Sequence, residues 1–129
     1  MAQEYPNSTF YGFDSHVESI TIARQRAKEA GLNGNIHFSV SKAKDYAESE
    51  FDLICFMDCL HDMGDPVGAA RHAKRSLKAD GTVMLVEPAA GDAVNDNINP
   101  VSRLYYAAST AVCTPSSLSQ EVGLALETR

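Results

Sequence analysis

The sequence predicts an α/β domain with a mainly parallel sheet of about four strands and flanking helices. Three observations support this fold class. Short apolar segments alternate with segments of helical periodicity. An acidic residue follows three of the apolar segments, at Asp14, Asp58 and Glu87. The segment Phe51–Met57 is almost continuously apolar, which is typical of a strand covered on both faces of a parallel sheet.

The first predicted strand and helix lie near the amino end of the chain. Thr9–Phe13 is an aromatic run that stops at Asp14. Ser15 and Glu18 then have the spacing of a capping box, with the serine as N-cap and the glutamate three residues later. Gly31 stands where a left-handed residue ends a helix. These residues predict a strand, an acidic strand end and a helix.

The next segments predict two more strands and a connection. A turn at Asn33–Gly34 leads into Ile36–Val40, where apolar residues alternate with polar ones as in a half-buried strand. Ser41–Glu50 is polar and predicts a connection, with a helical turn at Asp45–Ala47. The strand Phe51–Met57 follows.

The second predicted helix begins at Asp65, because an aspartate N-cap is followed by Pro66 at the first helical position. A turn at Asp80–Gly81 is expected to lead into the strand Thr82–Val86. The inner stripe of this helix is predicted to comprise Val67, Ala70, Ala73 and Leu77.

The last third of the chain has a different character. Ala89–Asn99 is small, polar and loop-like, and Asn99–Pro100 predicts the start of another helix. Thr114–Pro115 is expected to cap a final short helix towards Leu126. We therefore expect residues 1–88 to form the sheet core and residues 89–129 a connector with cap helices. One face of the helix after Pro100 is predicted to carry Val101, Leu104, Tyr105, Ala108 and Val112.

Composition limits the classes of partner. The chain has 129 residues and a formal net charge of −6, so a polyanion such as nucleic acid is not expected to bind. No apolar run approaches the roughly 20 residues that cross a bilayer, and the polar amino end does not resemble a signal peptide. We expect a cytoplasmic protein that does not contact membranes.

The acidic end of the first strand is a candidate ligand site. Asp14 follows that strand, where a carboxylate can accept hydrogen bonds from both ribose hydroxyls of an adenosine. A charge favoured by the helix N-terminus, with Ser15 as the cap, accounts for Asp14 about as well. Both interpretations stay open on the residues alone.

The segment Leu60-His61-Asp62-Met63-Gly64-Asp65 follows the Phe51 strand. It resembles the Leu-His-Asp-aromatic-x-Asp pattern of class I S-adenosylmethionine-dependent methyltransferases, most closely the bacterial small-molecule O-methyltransferases. Met63 replaces the usual aromatic residue. The resemblance implies a truncated Rossmann-like methyltransferase sheet, S-adenosylmethionine as cofactor, and methyl transfer to a small-molecule acceptor, a hydroxyl group.

The resemblance also implies roles for individual residues. His61 would be the catalytic base, since a neutral imidazole with a reference pKa near 6.5 accepts a proton at physiological pH. Asp62 or Glu87 would orient it, and Tyr106 is a candidate for the acceptor pocket. The alternative for His61 is a histidine bonded to backbone at a helix entry.

The remaining implied roles concern the cofactor. Asp14 and Ser15 would contact the ribose, and Ala43, Lys44 and Met57 match further cofactor-binding positions of the family. A solvated loop explains Lys44 about as well.

The glycine-rich loop and first strand of such enzymes have no counterpart in these residues. In the family that strand lies between the Phe10 and Phe51 strands, so we expect the gap to close in one of two ways. The Phe51 strand pairs directly with the Phe10 strand, giving the order Ile36, Phe10, Phe51, Thr82, or a second copy supplies the missing element. We expect a homo-oligomer and weak or absent cofactor binding by this chain alone.

Other classes of function remain as alternatives. A catalytically inactive, dimerising interaction module is one, and a nicotinamide-dependent Rossmann oxidoreductase is another. The oxidoreductases share the acidic strand end but lack the Leu60-His61-Asp62 element.

A metal site is not expected. Asp58, Cys59, His61 and Asp62 lie close in sequence, but their side chains should diverge on a strand-to-turn segment, and no second histidine pair lies nearby. Three cysteines without a Cys-x-x-Cys pair indicate free thiols rather than disulfides or a closed zinc site.

Overall fold

The computed structural model describes residues 1–32 and 34–126, so Asn33 of the predicted Asn33–Gly34 turn lies outside the described residues. The chain divides into two compact units, Met1–Glu48 and Ser49–Arg129. The predicted division at residue 88 stays a prediction. The regular elements are β1 Phe10–Asp14, α1 Val17–Glu29, β2 Ile36–Val40, β3 Phe51–Met57, α2 Pro66–Ser76, β4 Leu77–Val86, α3 Pro100–Ala108 and α4 Thr114–Leu118.

The first unit is a strand–helix–strand motif. β1 and β2 pair in parallel from Phe10 opposite Ile36 to Asp14 opposite Val40. The predicted N-cap is wrong by one residue: His16, not Ser15, caps α1, because its ring nitrogen Nδ1 accepts the N–H of Ser19 at 3.3 Å. The chain does leave the helix through a left-handed glycine, as predicted.

Close packing in the first unit explains a glycine in β1. A Cβ atom on Gly12 would lie 2.6 Å from the ring of Phe38 on the neighbouring strand, so only glycine fits there without a shift. The ring of Phe13 stacks on Tyr46 with centroids 4.6 Å apart. Ile20 and Tyr46 are buried. The predicted helical turn at Asp45–Ala47 is replaced by an earlier turn, closed by the bond from Asp45 N to Lys42 O.

The second unit contains the other parallel pair. β3 and β4 pair with Phe51 opposite Leu77 and Leu53 opposite Thr82, so the register shifts between these two pairs. The extra residues of β4 include Asp80–Gly81, which lies inside the strand rather than in the predicted turn. Gly81 suits this irregularity, because a Cβ there would lie 2.7 Å from the carbonyl oxygen of Phe51.

Helix α2 begins as the sequence predicts. The side chain of Asp65 accepts the N–H of Gly68 at 2.8 Å, and Pro66 is at the first helical position. The predicted inner stripe is confirmed at Ala73, which is fully buried, but is wrong at Val67, which is 52% exposed, and at Ala70. Ala69 is almost fully buried instead. The buried residues of α2 are Pro66, Ala69, Ala73 and Ser76.

The strand pairing corrects one expectation. Among the described residues there are two sheets of two strands, β1 with β2 and β3 with β4. The direct pairing of the Phe51 strand with the Phe10 strand is therefore wrong. Each observed pair joins strands that a single helix connects, which is the most local parallel pairing available. β3 is also less covered than expected, since Leu53 and Met57 are 43% and 49% exposed.

The chain after β4 is helical in short pieces. A 3-10 turn at Val94–Asn97 interrupts the predicted loop, and Asn99 caps α3 as predicted by accepting the N–H of Ser102. A π-helical turn, Ser109–Cys113, joins α3 directly to α4, so Thr114 does not act as a cap. Over residues 1–32 and 34–126, every helix is too short or too polar to cross a membrane.

Candidate functional site

The site begins where β3 ends. Asp58 has φ of 53°, a left-handed conformation that aspartate and asparagine adopt more readily than most residues with a Cβ atom. Its N–H donates to the carbonyl of Val86 on β4 at 2.6 Å, which extends the pairing by one residue. The chain then turns away from the sheet into the loop Cys59–Gly64. Non-glycine residues in this conformation concentrate at functional sites.

Glu87, directly after β4, organises this loop. One of its oxygens, Oε1, accepts the N–H of Leu60 at 2.8 Å and that of Cys59 at 3.2 Å. The other oxygen, Oε2, contacts Nδ1 of His61. One carboxylate therefore fixes both the backbone of the loop and the ring of His61, whose side chain is 11% exposed.

The charge state of Glu87 follows from these contacts. Burial alone would raise the pKa of its carboxyl group, but the hydrogen bond with His61 and those from Leu60 and Cys59 outweigh burial and lower the pKa. Glu87 is thus held as a carboxylate against the imidazole.

The neighbouring thiol is shifted the other way. Burial, together with the negative charges of Glu87, Asp58 and Asp62, raises the pKa of Cys59 despite a backbone hydrogen bond with Met57. Because the thiolate is the reactive form of cysteine, Cys59 is a poor nucleophile in this environment.

Asp62 lies on the other side of the histidine ring. Its Oδ1 is 3.5 Å from Nε2 of His61. The same oxygen is buried and accepts no hydrogen bond within the described residues. The imidazole is therefore placed between two carboxylates, Glu87 at Nδ1 and Asp62 at Nε2.

The segment after α4 supports the loop from behind. Ser117, which is fully buried, donates to the carbonyl of Met63 at 2.8 Å and accepts the N–H of Ala125 at 3.0 Å. The side chain of Gln120 donates to the carbonyl of Asp62 at 2.8 Å. A Cβ on Gly64 would lie 2.5 Å from Gln120, so a glycine is needed at this approach.

Cys113 belongs to the same site, which the sequence did not predict. Its Sγ, a ring nitrogen of His61 and a carboxylate oxygen of Asp62 all lie within 4.8 Å of one another. In a second group, the potential ligand atoms of Asp58, His61 and Glu87 also lie within 4.8 Å of one another. No local spacing links Cys113 to His61, so no signal in the sequence indicated that the two residues are close. Cys55, Cys59 and Cys113 form no disulfide bonds.

The predicted cofactor residues of the first unit lie at the carboxyl ends of β1 and β2. Asp14 is exposed, and its Oδ1 accepts the N–H of His16 at 2.8 Å. Ser15 is exposed beside it. Ala43 and Lys44 lie in the turn after β2. At the start of that connection, the backbone N–H of Ser41 donates to the carbonyl of Asp14 at 2.9 Å. These candidate residues are therefore neighbours within the first unit.

The other predicted residues belong to the second unit. Met57 is the last residue of β3 and half exposed. Tyr105 and Tyr106 on α3 are also largely exposed, at 50% and 44%. The structure therefore does not enclose Tyr106 in a pocket of the described residues.

Known proteins with a similar sequence are methyltransferases. The family model described as a methyltransferase domain matches residues 1–125. The ubiquinone/menaquinone biosynthesis C-methyltransferase UbiE of Vibrio cholerae is 26% identical over 94 residues, covering 71% of this chain and 34% of UbiE. A ubiquinone biosynthesis O-methyltransferase of Actinobacillus pleuropneumoniae is 30% identical over 90 residues, covering 64% of this chain and 37% of the relative. The chain thus spans about a third of the length of these relatives.

Solved structures are similar as well. The YcgJ protein from Bacillus subtilis gives a TM-score of 0.66 with 26% identity, covering 84% of this chain and 44% of YcgJ. The cyclase SpnF gives 0.59 with 30% identity, covering 66% of this chain and 34% of SpnF. The predicted α/β, Rossmann-like fold class is confirmed by these neighbours and by the two parallel strand pairs. Together with the family match, they show that the chain belongs to the methyltransferase domain family, within the class I S-adenosylmethionine-dependent methyltransferases.

Proposed function

We propose that this domain transfers a methyl group from S-adenosylmethionine to a hydroxyl group of a small molecule, with His61 as the general base. The observation that carries the proposal is the contact of Glu87 with His61 Nδ1, made by a carboxylate that also accepts two backbone N–H groups. A base fixed by a second group in this way is ready to accept a proton at its other nitrogen.

The proton transfer follows from the two ring nitrogens. With Glu87 as a carboxylate, Nδ1 carries the hydrogen and Nε2 has the lone pair. Nε2 takes the proton of the acceptor hydroxyl as the oxygen becomes nucleophilic. The imidazolium that forms is stabilised by Glu87 on one side and by Asp62, 3.5 Å from Nε2, on the other.

The residues at the carboxyl end of β1 fit the adenosine part of the cofactor. An ionised carboxylate has about four acceptor positions. Asp14 uses one oxygen for the N–H of His16 and is exposed, so it retains capacity for two ribose hydroxyls. Ser15, Ala43, Lys44 and Met57 are proposed as further cofactor contacts. When bound, S-adenosylmethionine supplies an electrophilic methyl group.

The names of the relatives support a small acceptor. They include a C-methyltransferase and an O-methyltransferase of quinone biosynthesis. We favour oxygen as the acceptor atom because a base such as His61 is needed when a hydroxyl must lose its proton.

Methyl transfer by the full chain tests the proposal. Because we expect this chain alone to bind the cofactor weakly, the assay uses labelled S-adenosylmethionine at high concentration. It measures transfer to a panel of small phenols and alcohols, with the variants His61→Ala and His37→Ala. His37 is an exposed histidine on β2 and serves as the matched control. His61→Ala should lower the rate by about 10²- to 10⁴-fold and His37→Ala should leave it unchanged. Equal rates in both variants would refute the base role, and no transfer by the unaltered chain would refute the activity.

We further propose that the chain self-associates rather than acting as an isolated domain. Large apolar side chains are exposed on β4, where Leu85 is 54% exposed, and on α3, where Leu104 is 70% exposed. Exposed apolar side chains are costly in water, and where they form a patch they are normally covered by a partner. A second copy offers the same surfaces and is the occupant we propose.

The mass in solution tests self-association. Light scattering of the full chain over a range of concentrations should give a mass at least twice the 13.9 kDa of one chain. Leu104→Gln changes an exposed residue and should shift the mass towards that of a monomer. A strict monomer at the highest concentration would contradict the proposal, whatever the result of the activity assay.

A further inference from the structure

Three potential metal ligands meet beside the loop that follows β3. They are a ring nitrogen of His61, a carboxylate oxygen of Asp62 and Sγ of Cys113, all within 4.8 Å of one another. His61 and Asp62 come from the loop, whereas Cys113 ends the π-helical turn Ser109–Cys113. Because the two segments are far apart in sequence, only the folded chain brings these side chains together.

The chemistry of the three donors suits a zinc ion. Zinc binds imidazole nitrogen and carboxylate oxygen at about 2.0–2.2 Å and thiolate sulfur at about 2.3 Å, in tetrahedral geometry. Ligand atoms of such a site are about 3.3–3.8 Å apart. The observed limit of 4.8 Å exceeds these separations by about 1–1.5 Å, which small side-chain movements could close.

The surroundings of His61 match a histidine prepared for metal. Metal-binding histidines usually donate their second ring N–H to a carboxylate, which fixes the ring and raises its basicity. Glu87 occupies that position at Nδ1. The atom directed to a metal is then Nε2, on the side where Asp62 Oδ1 lies at 3.5 Å.

Asp62 provides an independent observation. Its Oδ1 is buried and accepts no hydrogen bond within residues 1–32 and 34–126. A buried carboxylate oxygen without a hydrogen bond is destabilising unless a cation or another partner compensates it. A metal ion bound to this oxygen supplies that compensation.

The position of Cys113 also supports a metal site. π-Helical turns are rare and are frequently found at functional sites. The turn Ser109–Cys113 links α3 to α4 and ends at the cysteine that approaches His61. The alternative donor group, Asp58, His61 and Glu87, is less suitable, because Glu87 is already engaged by two backbone N–H groups and the imidazole.

We propose that His61, Asp62 and Cys113 form a zinc site with three protein ligands and a fourth position open to water or another ligand. This proposal departs from the expectation of no metal, which considered only side chains from the one segment Asp58–Asp62. Zinc at this site would occupy Nε2, the nitrogen that the proposed base uses, so metal binding and proton transfer exclude each other.

Zinc binding by the full chain tests this proposal without reference to activity. The untagged protein is stripped with chelator, kept reduced and titrated with Zn²⁺ by calorimetry. Absorption with Co²⁺ as a spectroscopic substitute reports the sulfur ligand. One ion per chain and a thiolate charge-transfer band are expected. Cys113→Ala should abolish the band and weaken zinc binding at least about tenfold, and Glu87→Gln should weaken it about 10- to 100-fold.

Cys55→Ala is the matched control, because it removes another free thiol. It should retain both the zinc affinity and the band. Circular dichroism establishes that each variant is folded before titration. No zinc binding by the unaltered chain, or equal binding by the Cys113→Ala and unaltered chains, would overturn the proposal. Neither result would bear on methyl transfer in metal-free buffer.

Discussion

Glu87 accepts the backbone N–H of Leu60 at 2.8 Å, across 27 positions of sequence. The two residues follow different strands of the β3–β4 pair, so the bond joins the chain segments just beyond the sheet. The same carboxylate accepts the N–H of Cys59 and contacts His61. Glu87 therefore holds the first part of the loop, Cys59 to His61, in place.

Replacing Glu87 should destabilise the fold, and the effect should be larger when the new side chain has no hydrogen-bond acceptor. Glu87→Ala leaves two partly buried N–H groups without an acceptor and should lower the free energy of unfolding by about 3 kcal/mol. Glu87→Gln keeps an acceptor oxygen and should cost less, about 1–2 kcal/mol. Urea unfolding measures both. Glu4→Ala alters an exposed glutamate and should stay within about 0.5 kcal/mol of the unaltered chain.

The stability that Glu87 provides should depend on pH. Its pKa is lowered in the folded chain from the ordinary value of 4.5, so the folded state favours the ionised form. The stabilisation is complete above the unfolded value and is lost as the pH falls through the lowered folded value. Unfolding of the unaltered chain and of Glu87→Gln should differ most near pH 7 and converge in acid. A difference that grows below pH 4.5 would contradict this.

The sequence predicted the elements whose signals are local. Asp65–Pro66 and Asn99–Pro100 each combine a capping side chain with a proline, and helices begin at both positions. The first N-cap was misplaced because Ser15 and His16 both have acceptor atoms near the helix start. The stripe of α2 was predicted only in part, because tertiary packing decides which face of a short alanine-rich helix is buried.

The pairing of residues far apart in the chain could not be predicted from the sequence. The inclusion of Asp80–Gly81 in β4 depends on the approach of Phe51, which no local pattern encodes. In the site, His61 was found through its motif, and Glu87 was one of two proposed partners. The position of Cys113 within 4.8 Å of His61 requires the helices after β4 to be folded, so the sequence alone predicted only a reduced thiol.

Ser117 should control the mobility of the loop that holds His61. Ser117→Ala removes the donor to Met63 and the acceptor of Ala125 N–H, both at a fully buried position. We expect a loss of about 1–3 kcal/mol in unfolding free energy and faster hydrogen exchange near Met63.

Ser116→Ala is the control for this change, because Ser116 is adjacent in α4 and only partly buried. It should alter neither the stability nor the exchange. Unchanged exchange in Ser117→Ala would show that the loop is held by other contacts.

The start of α2 allows a test of coupling between two residues. A Cβ on Gly68 would lie 2.2 Å from a carboxylate oxygen of Asp65, the group that caps the helix. Gly68→Ala should therefore displace the cap and destabilise the chain. Asp65→Ala should cost about 1 kcal/mol by itself.

Asp65→Ala removes the atoms that a Cβ on Gly68 would meet, because the three nearest atoms all belong to the carboxyl group of Asp65. Gly68→Ala should then be neutral or stabilising by up to about 1 kcal/mol, since alanine favours helix over glycine. Urea unfolding of the four proteins gives the coupling energy. Effects that add within about 0.5 kcal/mol would show that the carboxylate and Gly68 are independent. Asp65→Asn, which retains a capping oxygen, should preserve the sensitivity to Gly68→Ala because the same space remains occupied.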